Sequence, residues 1–433
     1  MMAREIAERA ARLLSGKVDE YVISANIATS IMVKYANGEV SVTQAWKDYS
    51  LAVYATKGGK VNVATYTAQE PSSLLSQLPA LLEKLAPSPL YAPLPEPTGT
   101  SLSFVDRKIK EAVEEGDVST LAIDLQERDA AGMTLAQYSQ SYSLGSNGLD
   151  LGYEITSYNG YLRVFKSDDS GQWAWVSTSL EPRMAEEALM RASDLADMCH
   201  SLPKEPVEGE HRLLLSPMIA GNLLERVAFA ANAGSVIMGF SFLQGKEPGA
   251  IVASERLSIK DVPRESRLPG FRGFDEEGVA TADKYIIERG AFRGLLHNSK
   301  TARLTGQKST GNAGLILPRL FNIEIEGGDL AEGELLEALG EGLYATNNWY
   351  TRFQNHVEGT FSTVTRDAFF LVRGGKPVAC AKRVRVIGSM PELLMNVENL
   401  SRERWRLRWW EIEVPSIVPF VLLSKARVTS VTT

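Results

Sequence analysis

The sequence predicts an α+β protein in two parts. Helices pack on an antiparallel sheet in the first half, and the second half is β-rich and barrel-like. Three observations carry this. Hydrophobic patterning alternates between helical and strand periods through the first 202 residues. Asn37-Gly38 and Lys57-Gly58-Gly59 join neighbouring strand patterns as tight hairpins, which makes those strands antiparallel. Beyond Gly209, short strands and glycine turns dominate, as in β-rich domains. At 433 residues the chain exceeds one ordinary domain. The polar, proline-containing segment Ser201 to Gly209 sets the boundary, giving domains 1–202 and 203–433.

In chain order, Ile6, Ala7, Ala10, Ala11, Leu13 and Leu14 recur at helical spacing at the amino terminus. A meander comes next, with strands at Tyr21–Ser24, Ser30–Val33, Val40–Val42, Leu51–Tyr54 and Val61–Ala64. Leucines 74, 75, 78, 81 and 82 predict a helix over Ser72–Leu85. The prolines of 87–97 stop it and read as a stiff connector lying over the same domain. Helical patterns resume at Val105–Glu114 and Val118–Ala130, strands from Leu135 to Trp175, and a helix at Met184–Met198. The second half begins with a strand at Arg212–Leu215 and a helix at Pro217–Ala233; a further helix is predicted at Leu330–Gly342.

Composition narrows the function. Hydrophobic residues at 44% and charged ones at 23% describe a soluble globular chain. A net charge of -7 argues against nucleic acid, whose phosphates need a basic partner surface. No run approaches the roughly 18 to 20 apolar residues of a membrane span. The charged amino terminus lacks the apolar core of a signal peptide, so the expected location is the cytoplasm. Cys199 and Cys380 are read as reduced core residues. None of the four histidines lies within ligand spacing of another, so no metal site is expected in this chain.

The richest stretch is Gly273 to Gly314. Phe274-Asp275-Glu276-Glu277-Gly278 opens it, a glycine turn at Gly290 leads to Leu296-His297 and Thr301-Ala302, and Ser309-Thr310-Gly311-Asn312-Ala313-Gly314 closes it. Read locally, this is a hairpin and a polar loop where backbone can approach another chain. These pieces, in this order, resemble the C-terminal domain of the TldD/TldE (PmbA, "modulator of DNA gyrase") family. The likeness extends to Glu358-Gly359-Thr360-Phe361-Ser362, Gly388-Ser389-Met390-Pro391-Glu392 and Val414-Pro415-Ser416.

The resemblance implies a choice between two kinds of member. The TldD kind carries His-Glu-x-x-x-His on the first helix of this domain and a cysteine near its end. Two imidazoles and a thiolate would hold a zinc ion with one position open, and the glutamate would serve as base. Here Glu225, Arg226 and Ala230 stand at those helix positions, and the Glu413–Val418 region has no cysteine. The chain therefore resembles the TldE (PmbA) kind, expected to have no cofactor and no catalytic residues. The resemblance implies a subunit that shapes a peptide cavity and stabilises a zinc-bearing TldD-type partner, in a complex acting on unfolded or leader peptides. A homodimer is the assembly open to it alone.

Ser309, Thr310, Gly311, Asn312, Asp275, Glu277 and His297 are the candidate groove residues, where an extended peptide could pair with an exposed strand edge. The local alternatives stay beside them. Asp275 and Glu277 suit a turn cap, His297 a structural histidine, and adjacent Glu225 and Arg226 a solvated pair. Trp405, Trp409 and Trp410 with Arg402, Arg404, Arg406 and Arg408 read as a segment packed on a partner subunit, ahead of a single-strand nucleic-acid platform. Two other functions remain open, an autonomous non-metal hydrolase and a non-enzymatic modulator of a DNA-handling complex.

Overall fold

The structure is a computed structural model and describes residues 2–430. The domain limits drawn at Met1 and Thr433 fall outside the described residues. An antiparallel sheet of seven strands forms the first half: β1 Glu20–Ala36, β2 Glu39–Lys57, β3 Lys60–Ala68, β4 Ala86–Pro87, β5 Ala130–Gly145, β6 Asp150–Lys166 and β7 Asp169–Ser177. Their order across the sheet is β4-β3-β2-β1-β5-β6-β7. Helices α1 Ala3–Leu14, α2 Pro71–Leu75, α3 Leu78–Glu83, α4 Arg107–Glu115 and α5 Pro182–Ser201 accompany it. The apolar stripe of α1 (Ile6, Ala7, Ala10, Leu14) buries against Ile23, Ala25, Ile27, Leu51 and Val53.

The two glycine turns form as expected. Asn37 and Gly38 sit at φ 53 and 76, the left-handed pair that a two-residue hairpin requires. The predicted short strands on either side merge, however, so that β1 runs for 17 residues and β2 for 19. β1 is paired along both edges, with β2 and β5, and those two ladders hold the polar Asn26 and Thr29 extended. The helix expected over Ser72–Leu85 is broken into α2 and α3, because Pro79 cannot donate to a continuous helix. That expected over Val118–Ala130 shrinks to a single 3₁₀ turn, Val118–Leu121. The Asp117 carboxylate closes this turn by accepting from Ser119 and Thr120. The connector after α3 leaves its own half: Thr98 and Gly99 donate to the carbonyl of Gly278.

The second half is one sheet of 13 strands. They are β8 Gly209–Leu215, β9 Ile259–Asp261, β10 Lys284–Glu288, β11 Ala291–Phe292, β12 Ile323–Ile325, β13 Gly342–Ala345, β14 Asn348–Asn355, β15 Thr360–Thr365, β16 Phe369–Arg373, β17 Lys376–Cys380, β18 Val384–Ser389, β19 Val397–Trp409 and β20 Ile412–Ser430. Helices α6 Pro217–Ala230, α7 Ala233–Ile237, α8 Ser299–Thr305, α9 Glu332–Leu339 and α10 Met390–Met395 lie between them. The sheet is β-rich as expected but open. β20, 19 residues long, organises it by pairing with β8, β12, β18 and β19 in turn. The end strands β11 and β17 do not meet among the described residues.

One buried cluster runs through both halves, from Ile31, Trp173 and Leu189 to Leu213, Ile219, Phe369 and Val421. Two sequence readings change here. Cys199 on α5 and Cys380 on β17 are joined as a disulfide, their Cα atoms 5.4 Å apart and 181 residues apart in sequence. No local spacing could announce a pair that distant. The Arg/Trp segment is β19, and most of it packs on its own chain. Arg406 grips Glu181 through both terminal nitrogens, while Trp405 stacks edge-on against Phe420 and Trp173. Trp409 is buried as well, leaving Trp410 exposed at the turn.

Candidate functional site

Helix α6 begins at Ser216, whose hydroxyl caps Met218, and continues from Pro217, which suits a first helical position. It is buried almost all round, so its polar residues need partners inside the protein. Asn222 and Glu225 lie one turn apart; Asn222 reaches the turn between β19 and β20 and Glu225 the start of β20. The Asn222 amide donates to the Glu411 carbonyl. Glu225 Oε2 accepts the backbone N–H groups of Glu413 at 3.1 Å and Val414 at 3.3 Å. Glu225 Oε1 accepts no hydrogen bond, though an Arg226 nitrogen stands 3.5 Å away. Burial dominates over that neighbouring charge and pushes the carboxyl up to about 8. The pair read as solvated is thus a buried Glu225 beside a half-buried Arg226, and α6 is latched to β20 through Glu225.

The Gly273–Gly314 stretch folds back on itself. Asp275 is buried at the turn and accepts from the backbone of Glu277, Val279 and Ala313, which makes it a turn cap. Burial, with the charge of Glu277 second, pushes it up to about 7. Glu277 is buried on Lys300 and on Ser299 of α8. His297 contacts Thr301 at 3.3 Å, and burial lowers its pKa. Ser309 and Thr310 donate to the His297 carbonyl, Gly311 takes φ 70, and the fully buried Asn312 donates to Asp261 and to the Arg319 carbonyl. The seven groove candidates are therefore brought together, but the polar side chains of six are engaged in contacts within the protein, and Gly311 contributes backbone.

Open space lies beside them. A cleft of about 500 Å³ is lined by Ser24, Asn26, Ser141 and Ser143 of the first sheet and by Arg272, Asp275 and Arg319 of the second half. A second cleft, about 390 Å³, runs from Arg272 and Arg319 past Phe229 of α6 to Arg408 and the Glu413–Pro415 segment held by Glu225. The two share Arg272 and Arg319 as a common wall. Of the seven groove candidates, Asp275 alone borders either space, while Arg408 of the Arg/Trp segment borders the second. A larger cavity of about 820 Å³ lies between β15, β18 and β20 over an apolar floor; none of the seven groove candidates lines it, though the Glu358–Ser362 and Gly388–Glu392 motifs do. The shared-wall clefts are the better site, since they adjoin the Glu225 latch and concentrate charge.

Residues 208–430 match the family described as the PmbA/TldA metallopeptidase C-terminal domain. The chain belongs to the PmbA/TldD family. A metalloprotease of Methanothermobacter thermautotrophicus is 24% identical over 312 residues, covering 70% of this chain and 62% of that protein. A metalloprotease of Synechocystis is 27% identical over 224 residues, covering 50% and 47%. The chain thus spans between about half and three fifths of the length of these relatives. The crystal structure of TldE from Thermococcus kodakarensis superimposes with a TM-score of 0.84 at 20% identity, covering 98% of this chain and 100% of that one. That likeness speaks for the fold.

A metal belongs to the description of the PmbA/TldD family, so the donors at α6 need testing against one. A catalytic zinc requires about three protein donors with an open fourth position. α6 itself offers one carboxylate, already holding two backbone N–H groups, with a guanidinium beside it. Such a set does not fit the ion. Elsewhere among the described residues, Asp169 meets the Cys199 and Cys380 sulfurs. Both sulfurs are spent in the disulfide, and Lys204 and Lys382 stand 3.0 and 3.2 Å from the carboxylate, repelling a cation.

Sequence reasoning missed Arg272 and Arg319, although both flank the stretch it singled out. Nothing in a lone arginine signals which cleft it will enter.

Proposed function

We propose that the chain is the non-catalytic subunit of a two-subunit metalloprotease, which holds a peptide beside a zinc-bearing partner of the TldD kind. One observation carries this: where catalytic relatives would place a metal-binding helix, Glu225 instead ties α6 to the Glu413–Val414 backbone, and an open cleft starts immediately beyond. The latch would keep the cleft wall in place, and the partner would supply the hydrolytic centre. An extended peptide in the joined clefts would meet the hydroxyl and amide groups of Ser24, Asn26, Ser141 and Ser143 at one end and guanidinium groups at the other. The Ser309–Gly314 segment would support this wall from behind, its own polar side chains being engaged.

The test is metal content and peptidase activity of the purified chain, alone and mixed with a His-Glu-x-x-x-His relative from the same cell. Chelator-sensitive activity on mixing, with none from this chain alone, is the expected result. Stoichiometric metal and cleavage by the chain alone would overturn the reading.

A further inference from the structure

Arg272, Arg319 and Arg408 converge on the smaller cleft from three separate parts of the chain. Arg272 is buried, 8% exposed, and its Nε has no hydrogen-bond partner. Its guanidinium lies over Phe321 at 4.4 Å and over Tyr153 at 5.2 Å, which fixes it in place. Arg319 lies over the same Phe321 ring at 5.5 Å. Both reach one oxygen of Glu276, at 3.5 and 3.3 Å, and so share a single counter-charge. Arg408 is exposed and forms no hydrogen bond or ion pair among the described residues. Glu413, the one carboxylate on the wall of this cleft, pairs with none of the three.

Arg319 and Arg408 are exposed along the cleft, whereas Arg272 is buried in its wall, and one oxygen of Glu276 serves both Arg272 and Arg319. The buried Arg272 Nε without a partner calls for an explanation, and a ligand group in the cleft would supply one. Three arginines against Glu276 and Glu413 leave a surplus of one positive charge. A singly charged anion matches that surplus, and a planar fork of N–H donors matches a carboxylate in shape. Gly270 on the same wall packs directly on the Phe321 backbone, since a Cβ there would stand 2.1 Å from the Phe321 carbonyl.

We propose that Arg272, Arg319 and Arg408 form a preformed carboxylate-binding subsite, which anchors a peptide through its C-terminal carboxylate or an Asp or Glu side chain. This rests on the peptide-holding function above and gives it a polarity. One end of the peptide is pinned by charge in the smaller cleft, and the rest extends along the serine-lined cleft. Arg408 is the residue that gains most from the ligand, having no other partner. Arg272 positions the others, and Glu276 sets the surplus.

The experiment uses three fluorescein-labelled, alanine-rich decapeptides: one with a free C-terminal carboxylate, its C-terminal amide, and the amide carrying one central Asp. Binding to the full chain is followed by anisotropy for wild type, Arg408→Gln and Arg319→Gln. The same peptides are given to the chain mixed with its catalytic partner, with cleavage as readout. At least tenfold tighter binding of a carboxylate-bearing peptide than of the neutral amide is expected, with the advantage lost in Arg408→Gln. The peptide that shows it identifies the source of the carboxylate. Equal binding of all three overturns the subsite and leaves the peptide-holding function standing. Cleavage by the mixture without binding to this chain also overturns the subsite. Absence of both removes the subsite and the subunit function together. Arg408 has no partner to lose, so its variant folds; Arg319→Gln should weaken the same peptide and no other.

Discussion

Glu225 accepts the backbone N–H of Glu413 at 3.1 Å, and this contact joins α6 to the start of β20 across 188 residues of sequence. It makes this helix position a structural latch. A carboxylate satisfied by backbone donors on one oxygen and by none on the other is held at the edge of ionisation.

That has a pH signature. The folded value of Glu225, about 8, lies above its ordinary 4.5, so between these values the native state keeps a proton that the unfolded chain releases. Stability from this group is therefore present below the lower value and is lost as pH rises toward the upper one. The slope is at most about 1.4 kcal/mol per pH unit. Glu225→Gln should unfold at higher urea than wild type at pH 8 and lose that advantage at pH 5. A difference between the two that does not change with pH would contradict the assignment.

Asp275 should not tolerate replacement. It accepts three backbone N–H groups at 2.8 to 3.0 Å. Asp275→Ala would leave all three buried donors without an acceptor and cost about 3 kcal/mol, at roughly 1 kcal/mol each. Asp275→Asn should retain two bonds and cost less, because its amide group would face the Ala313 N–H donor to donor. Urea midpoints for the two variants check the order, and an equal loss in both would count against it.

Lys300 and Glu277 form a buried ion pair, each side chain 2% exposed, and the ammonium also lies 4.3 Å from the Tyr54 ring on β2. Lys300→Met strands a carboxylate in the interior and should cost about 3–5 kcal/mol. Adding Glu277→Gln should return part of that loss. If the double variant is as unstable as the sum of the singles, the two residues are not coupled.

The Cys199–Cys380 bond ties α5 to β17. Under oxidising conditions the intact chain should resist thiol alkylation until it is both unfolded and reduced. Cys199→Ser/Cys380→Ser should lower stability by about 2–4 kcal/mol. Prompt alkylation of both thiols in the native protein, read by mass spectrometry, would refute the pairing.

Much of the fold was legible because it rests on local chemistry. Asn37-Gly38 dictates a hairpin through its two left-handed residues, and the apolar stripe of α1 dictates which face is buried. The helix at α6 could also be read from its pattern, together with the absence of imidazole at Glu225 and Ala230. Where local signals conflicted, neighbours decided. Asn26 and Thr29 broke the strand pattern of β1, yet ladders on both sides kept it whole.

The site divides along the same line. Sequence by itself determined the family, the turn chemistry around Asp275 and the absence of imidazole on α6, since each depends on which residues stand within a few positions of one another. Only the tertiary structure decided that Glu225 would be buried on the Val414 backbone, that Cys199 would meet Cys380, and that Arg272, Arg319 and Arg408 would face one cleft. Burial and charge shortage are properties of the space between distant segments, and no spacing along the chain encodes them.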